Sequence, residues 1–207
     1  MRELLKKIRD CARDYIINRK NRKKLRNQEF TIIASDCTGA MIYHDLKVRF
    51  DSPTINLYMS ASDYIKFISR MEHYLQVPMK EIEVKNVNYP CAKLDDIILY
   101  LVHYETFNEA KEKWEARKRR IHPENIFYVF NDRNGCTEEN VEDFFSLPLQ
   151  NKVFFTANKE WKEKHSDACL VERFAGEKFV GVMTSYSGLS LKRNYDCFDY
   201  VGWFNGV

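Results

Sequence analysis

The sequence is poor in chain breakers, with 7 Gly and 5 Pro among 207 residues. That scarcity excludes collagen-like repeats and long low-complexity linkers. No stretch approaches the roughly 18 apolar residues of a spanning helix, and the first residues are basic rather than apolar, so no secretory leader is read. The six cysteines (Cys11, Cys37, Cys91, Cys136, Cys169 and Cys197) are never closer than 26 residues. This excludes a CxxC pair of the zinc or redox type and points to free thiols in a reducing cytoplasm. GxGxxG, Walker A, HExxH and GxSxG sequences are all missing. No motif names a cofactor, and the scattered histidines offer no metal set.

What is present reads as one α/β domain, residues 28–207, behind a basic N-terminal helix, residues 1–27. The net charge of +3 conceals an asymmetry. Residues 1–27 hold eleven Lys/Arg against Glu3, Asp10 and Asp14, and the rest of the chain is acidic on balance. In residues 3–25, Leu5, Ile8, Cys11, Ala12, Tyr15 and Ile16 recur at three-to-four spacing, an apolar stripe on a basic rod. Such a rod either packs on the domain or a second copy, or rests on an anionic membrane surface. Nucleic acid is not an expected partner, because no other basic patch follows; homo-oligomerisation is left open.

Beyond the rod, apolar runs alternate with helical patterns. Residues 30–34, 54–58, 97–102, 126–130, 152–156 and 178–183 read as strands. Helices are expected over 60–75, 106–120 and 137–147, the first two opened by capping boxes at Ser60/Asp63 and Thr106/Glu109. Strands alternating with helices imply a largely parallel sheet with helices on both faces, a three-layer α/β fold.

In a parallel sheet ligands bind beyond the carboxyl ends of the strands, so the residues after each run are the candidates. Ser35-Asp36-Cys37-Thr38-Gly39 follows the first run, His103-Tyr104 follows 97–102, and Asp132-Arg133-Asn134-Gly135 follows 126–130. Asp36, Cys37, His103 and Asp132 are the catalytic candidates. A strand-end Cys serves as nucleophile if its pKa is lowered, and His or Asp serves as general base. Arg133 suits a phosphate or carboxylate bidentately; Thr38, Asn56 and Tyr104 are further substrate-binding candidates. The aromatic stretch 195–204 reads as a tail pinned on the core by its rings, or as a platform for a sugar face.

Several strings taken in order carry a family resemblance: Ser35-Asp-Cys-Thr-Gly-Ala-Met-Ile-Tyr43, Phe50-Asp-Ser-Pro-Thr-Ile-Asn-Leu57, Tyr89-Pro90 with Leu94-Asp-Asp-Ile97, His103-Tyr104, Lys113-Trp-Glu-Ala-Arg117, Asp132-Arg-Asn-Gly135 and Asn151-Lys-Val-Phe-Phe-Thr156. From about Asn21 onward the chain resembles the bacterial family of domain of unknown function 1919. Members are often labelled as exopolysaccharide or capsule biosynthesis proteins. The resemblance therefore implies a transferase acting on an activated sugar, a sugar-nucleotide or a lipid-linked sugar, in the cytoplasm or peripherally at the inner membrane face. The alternative is a non-catalytic binding or assembly module of the same system. The family pattern has Asn where this chain has Asp36, a second Gly at Ala40 and Gly near Ala92, which argues against any role needing an amide at position 36.

Overall fold

The computed structural model describes residues 2–206; Met1 and Val207 lie outside it. Helix α1 (Arg2–Arg13) runs through a π-helical turn, Asp14–Asn18, into α2 (Arg19–Lys24), giving the expected basic rod. Strand β1 (Thr31–Ala34) leads into α3 (Thr38–Leu46), followed by α4 (Ala61–Ser69) and α5 (Met71–Gln76). A small sheet comes next, from β2 (Lys80–Ile82), β3 (Cys91–Leu94) and β4 (Ile97–Tyr100). Then follow α6 (Phe107–Lys118), β5 (Ile126–Asn131), α7 (Glu138–Ser146), β6 (Lys152–Thr156), α8 (Lys159–Lys164), β7 (Ala168–Leu170) and α9 (Tyr200–Phe204).

The main sheet has the order β1-β5-β6-β7, every neighbouring pair parallel. Its strands are apolar on both faces, as a sheet covered on both sides requires. On one face Tyr128, Phe130 and Phe154 meet α4 to α8 and the small sheet, with Trp114 and Phe144 wholly interior. On the other, Ile32, Phe127, Val129 and Phe155 meet α3, α9 and the C-terminal segment. The aromatic tail is thus a covering layer: Phe204 stacks on Phe30, with ring centroids 4.4 Å apart.

Strand β1 lies at the sheet edge, and its outward backbone groups are met by side chains. Ile32 N–H donates to the Tyr43 hydroxyl at 3.0 Å, which donates in turn to Phe30 C=O at 3.0 Å. Ala34 N–H donates to Thr54 Oγ1 at 3.1 Å.

Four expectations are corrected. Ile97–Tyr100 pairs antiparallel in the small sheet and never joins the parallel one. Residues 54–58 form no strand beyond a single bridge from Tyr58 to Tyr100. Residues 178–183 are irregular, because the Val180 amide is taken by the Asp132 carboxylate rather than by a neighbouring strand. The helix expected over 60–75 breaks at Arg70 (φ −135°) into α4 and α5. The Thr106 and Thr137 caps are present, accepting from Glu109 and Asn140 N–H.

All six cysteines are free, but Cys169, in β7, and Cys197 bring their sulfurs to 3.6 Å. A proton shared from Cys197 lowers the Cys169 pKa, while Cys197 holds its own proton more tightly. Their proximity makes these two thiols a pair that oxidation can join. Diamide, accepting two electrons and two protons, is expected to link the two into a disulfide. The mass should fall by two hydrogens, and Cys169→Ser should abolish the change. A linkage absent from the intact-mass spectrum after diamide treatment would refute this.

Candidate functional site

Position 39 explains how the chain leaves β1. A Cβ on Gly39 would fall 3.0 Å from Ile32 Cγ2 and 3.2 Å from the Ala34 Cβ. Only glycine lets α3 approach its own strand this closely, so α3 folds back over the Ile32/Ala34 face. Strand β5, the immediate neighbour, sends its chain the other way, into α7 on the Phe130 face. Adjacent parallel strands whose connections diverge to opposite faces leave a crevice between their carboxyl ends, the place where open α/β sheets bind ligands.

Asn131 spans that crevice. Its Nδ2 donates to Asp36 Oδ2 at 3.0 Å, and its Oδ1 accepts from Arg133 N–H at 3.2 Å. The second oxygen of Asp36 accepts from Thr38 N–H at 2.9 Å. Asp36 is thus fixed by a neutral amide and the first turn of α3, and it remains half-buried. Arg133 follows on a tight turn in which Asn134 (φ 56°) and Gly135 (φ 77°) are both left-handed. The Asn134 carbonyl is held by Ala61 N–H at 3.0 Å. The Arg133 guanidinium is half-buried and, among the described residues, has no ion-pair partner.

Asp132 has a different task. Its Oδ1 accepts from Val180 N–H at 2.7 Å, and its Oδ2 from Ala157 N–H at 2.7 Å and Thr156 Oγ1–H at 3.0 Å. Burial pushes its carboxyl above the ordinary carboxylate range even against those three donors. It is a tie that draws the 175–183 segment over the ends of β5 and β6. The tie sets Lys178 and Phe179 across from the Arg133 turn, enclosing a cleft of about 360 Å³. Lys178 also borders a second hollow of about 620 Å³ over Ala157–Glu160. Lys178 is exposed without an ion-pair partner among the described residues, and Phe179 is 48% exposed. Two unpaired cations beside an open ring suit an anionic ligand with a flat or apolar part.

The remaining candidates lie outside this cleft. Burial, with the nearby Asp36 charge, pushes the Cys37 thiol up to about 12, so it stays protonated at neutral pH and lacks the activation a nucleophile needs. Thr38 is wholly buried and opens α3. Tyr104 is buried too; its hydroxyl donates to Ile55 C=O at 2.9 Å and accepts from Arg117 at 2.6 Å. Asn56 is left-handed (φ 63°), and its carbonyl meets His103 N–H at 3.4 Å. These residues, with an exposed His103, belong to the flank outside β1, and Asp36 sits between that flank and the cleft. Among the described residues no group of three or more His, Cys, Asp or Glu could hold a metal.

Sequence reading missed Lys178 and Phe179, which nothing in the sequence places against residues 45 positions away. It also passed over Asn131; a polar residue closing an otherwise apolar strand was the available signal.

The family described as domain of unknown function DUF1919 matches residues 8–205. The chain belongs to that family. An uncharacterized protein of Haemophilus influenzae is 39% identical over 191 residues, covering 92% of this chain and 91% of that protein. The match includes the crevice, the tie at Asp132 and most of the basic rod.

Proposed function

We propose that this protein seats the phosphate of an activated sugar in the cleft between Arg133 and Lys178 and transfers the sugar in cell-surface polysaccharide synthesis. The observation that carries the reading is that Arg133 and Lys178, both without an ion-pair partner among the described residues, line one cleft beyond the carboxyl end of β5. The larger hollow of about 800 Å³ beneath the rod is less suited, because Asp10, Arg13, Asp14, Asp45 and Arg193 there already pair with one another or with neighbouring residues. In the proposed reaction Asp36 takes the proton of the acceptor hydroxyl and the freed oxygen bonds to the sugar's anomeric carbon. The bond from that carbon to the phosphate oxygen breaks. Its electron pair leaves with the phosphate, whose added charge Arg133 and Lys178 stabilise.

A second reading is favoured by how few acid–base groups reach the cleft. With Cys37 protonated, His103 outside and Asp132 occupied, the remaining candidate is Asp36, held beside the cleft by Asn131 and Thr38 and not among the residues that line it. A binding module would use the same cations without turnover.

A thermal-shift screen with inorganic phosphate, nucleotide-sugars and polyprenyl phosphates tests the shared premise. Ligand at 100 times its Kd adds about 2.7 kcal/mol of stability. Arg133→Ala should weaken binding at least tenfold, the effect of losing roughly 1.5–3 kcal/mol of charge-assisted hydrogen bonding. No shift with any phosphate compound would sink both readings. Asp36→Asn, which restores the amide of the family pattern, separates them. Nucleoside diphosphate release lost while the shift survives supports catalysis; a shift with no release even in the unaltered protein supports the module.

A further inference from the structure

An amphipathic helix on a globular domain ordinarily turns its apolar stripe inward. The rod of residues 2–24 does the opposite. Leu4, Leu5, Ile8, Tyr15 and Ile16 are between 57% and 69% exposed, and they make up five of the eight exposed large apolar residues described in the chain. The inward face is polar. Arg13 is 1% exposed, and its guanidinium reaches Asp45 Oδ2 at 2.7 Å, Asp196 Oδ2 at 2.5 Å and Leu191 C=O at 2.9 Å. Arg9 donates to the carbonyls of Gly188 and Ser190, and Asp10 accepts from the Tyr186 hydroxyl at 2.6 Å. Arg22 donates to Asp45 C=O at 2.8 Å.

Rotating the rod to bury its stripe would carry Arg13 out to solvent and leave Asp45 buried without its cation, the costlier outcome. The outward orientation is therefore specified by the fold, and the stripe needs a cover supplied from outside the chain. Charge selects the kind of cover. Lys6, Lys7, Arg19, Lys20, Lys23 and Lys24 are exposed and free of ion pairs among the described residues, whereas Glu3 is the one fully exposed acid of the rod. A second copy docking by this face would bring two such cation sets together, which is repulsive. An anionic lipid surface offers negative charge and an apolar boundary layer at the same depth. No helix among the described residues is long and apolar enough to cross a membrane, so contact of this kind is lateral.

We infer that residues 2–24 form a membrane-docking helix, lying on an anionic bilayer with Leu4, Leu5, Ile8, Tyr15 and Ile16 inserted at the headgroup boundary. This stands independently of the reaction proposed for the cleft.

Sedimentation of the full-length protein with vesicles of phosphatidylcholine, alone or mixed with phosphatidylglycerol, tests it. Binding should require phosphatidylglycerol and weaken at high salt. Lys20→Gln/Lys23→Gln should lower partitioning roughly 30-fold, about a kcal/mol for each cation near the surface. Ile8→Ser/Ile16→Ser, substitutions at exposed positions, should lower it at least as much while leaving the melting temperature in place. Either result would overturn the inference: no binding to anionic vesicles, or binding indifferent to Ile8→Ser/Ile16→Ser, which would reduce the rod to a charge contact without insertion. Sedimentation equilibrium without lipid provides a further check. A stable dimer dissociated by Ile8→Ser/Ile16→Ser would assign the face to a second copy instead.

Discussion

Arg13→Ala should cost about 3–5 kcal/mol of folding stability, the usual penalty for removing one partner of a buried ion pair. Asp45 is 2% exposed and takes both Arg13 Nε, at 3.0 Å, and Nη2, at 2.7 Å, together with the Tyr195 hydroxyl at 2.5 Å. With Arg13 gone, that carboxylate keeps the tyrosine, the His44 ring nitrogen at 3.4 Å and a distant Arg193, 3.8 Å away. Asp196 loses its strongest partner in the same step. The loss should appear as a lower urea midpoint with an unchanged slope. A control separates charge from volume. Arg13→Met/Asp45→Leu removes both charges and fills much of the space, and such exchanges are often nearly neutral, so most of the stability should return. A cost for Arg13→Ala under about 1 kcal/mol, the scale of an exposed pair, would mean that the rod is not locked as described.

Asp132→Ala should destabilise by about 4 kcal/mol and Asp132→Asn by about 2 kcal/mol, since an unpaired buried donor costs about 1–3 kcal/mol. Alanine leaves Val180 N–H, Ala157 N–H and the Thr156 hydroxyl without an acceptor; asparagine keeps one oxygen and can serve one amide. The effect reaches beyond stability, because this tie places Lys178 and Phe179. Amide exchange at Val180 and Ala157 should accelerate in both variants, and phosphate-ligand binding should weaken although Asp132 need not touch the ligand. Unchanged exchange at Val180 would contradict the anchoring role. The pH dependence has a definite sign. Burial raises the folded Asp132 pKa, so stability attributable to its protonated form is complete below the unfolded value near 4 and lost as pH rises through the folded one. The advantage of the unaltered protein over Asp132→Asn should therefore widen as pH falls through that window.

How far the sequence foretold these features varied with how local their causes are. Strands β1, β5 and β6 were visible as β-branched and aromatic runs, and α6 and α7 by Thr106 and Thr137, because caps and continuous apolar runs are written in adjacent residues. Ile97–Tyr100 misled because its half-exposed face carries Ile98 and Tyr100 rather than polar side chains. Tyr100 stacks on Tyr58, with ring centroids 4.5 Å apart, so the alternation of an antiparallel strand was hidden. Helix α3 escaped notice because it opens on Cys37 without a side-chain cap and contains Gly39, a poor helix former kept for contact with β1. Asp36, Asp132 and Arg133 were accessible because they directly follow strands. What each does was not, since one carboxylate is fixed by an amide and the other consumed by a distant backbone. Arg13 was one of eleven cations in its segment, and nothing local marks it as the one that is buried.

The hydroxyls of Tyr43 and Thr54 along β1 have a consequence for assembly. Parallel sheets can lengthen when a free margin recruits an extended segment from another molecule, the route to runaway polymerisation. Here the outward amides of β1, those of Ile32 and Ala34, are already taken by the chain's own phenol and threonine. Recruitment is left to β7, three residues long, too short a template for a stable addition. The protein can thus be concentrated on a surface, at high local density, with little tendency to grow into fibres through its main sheet.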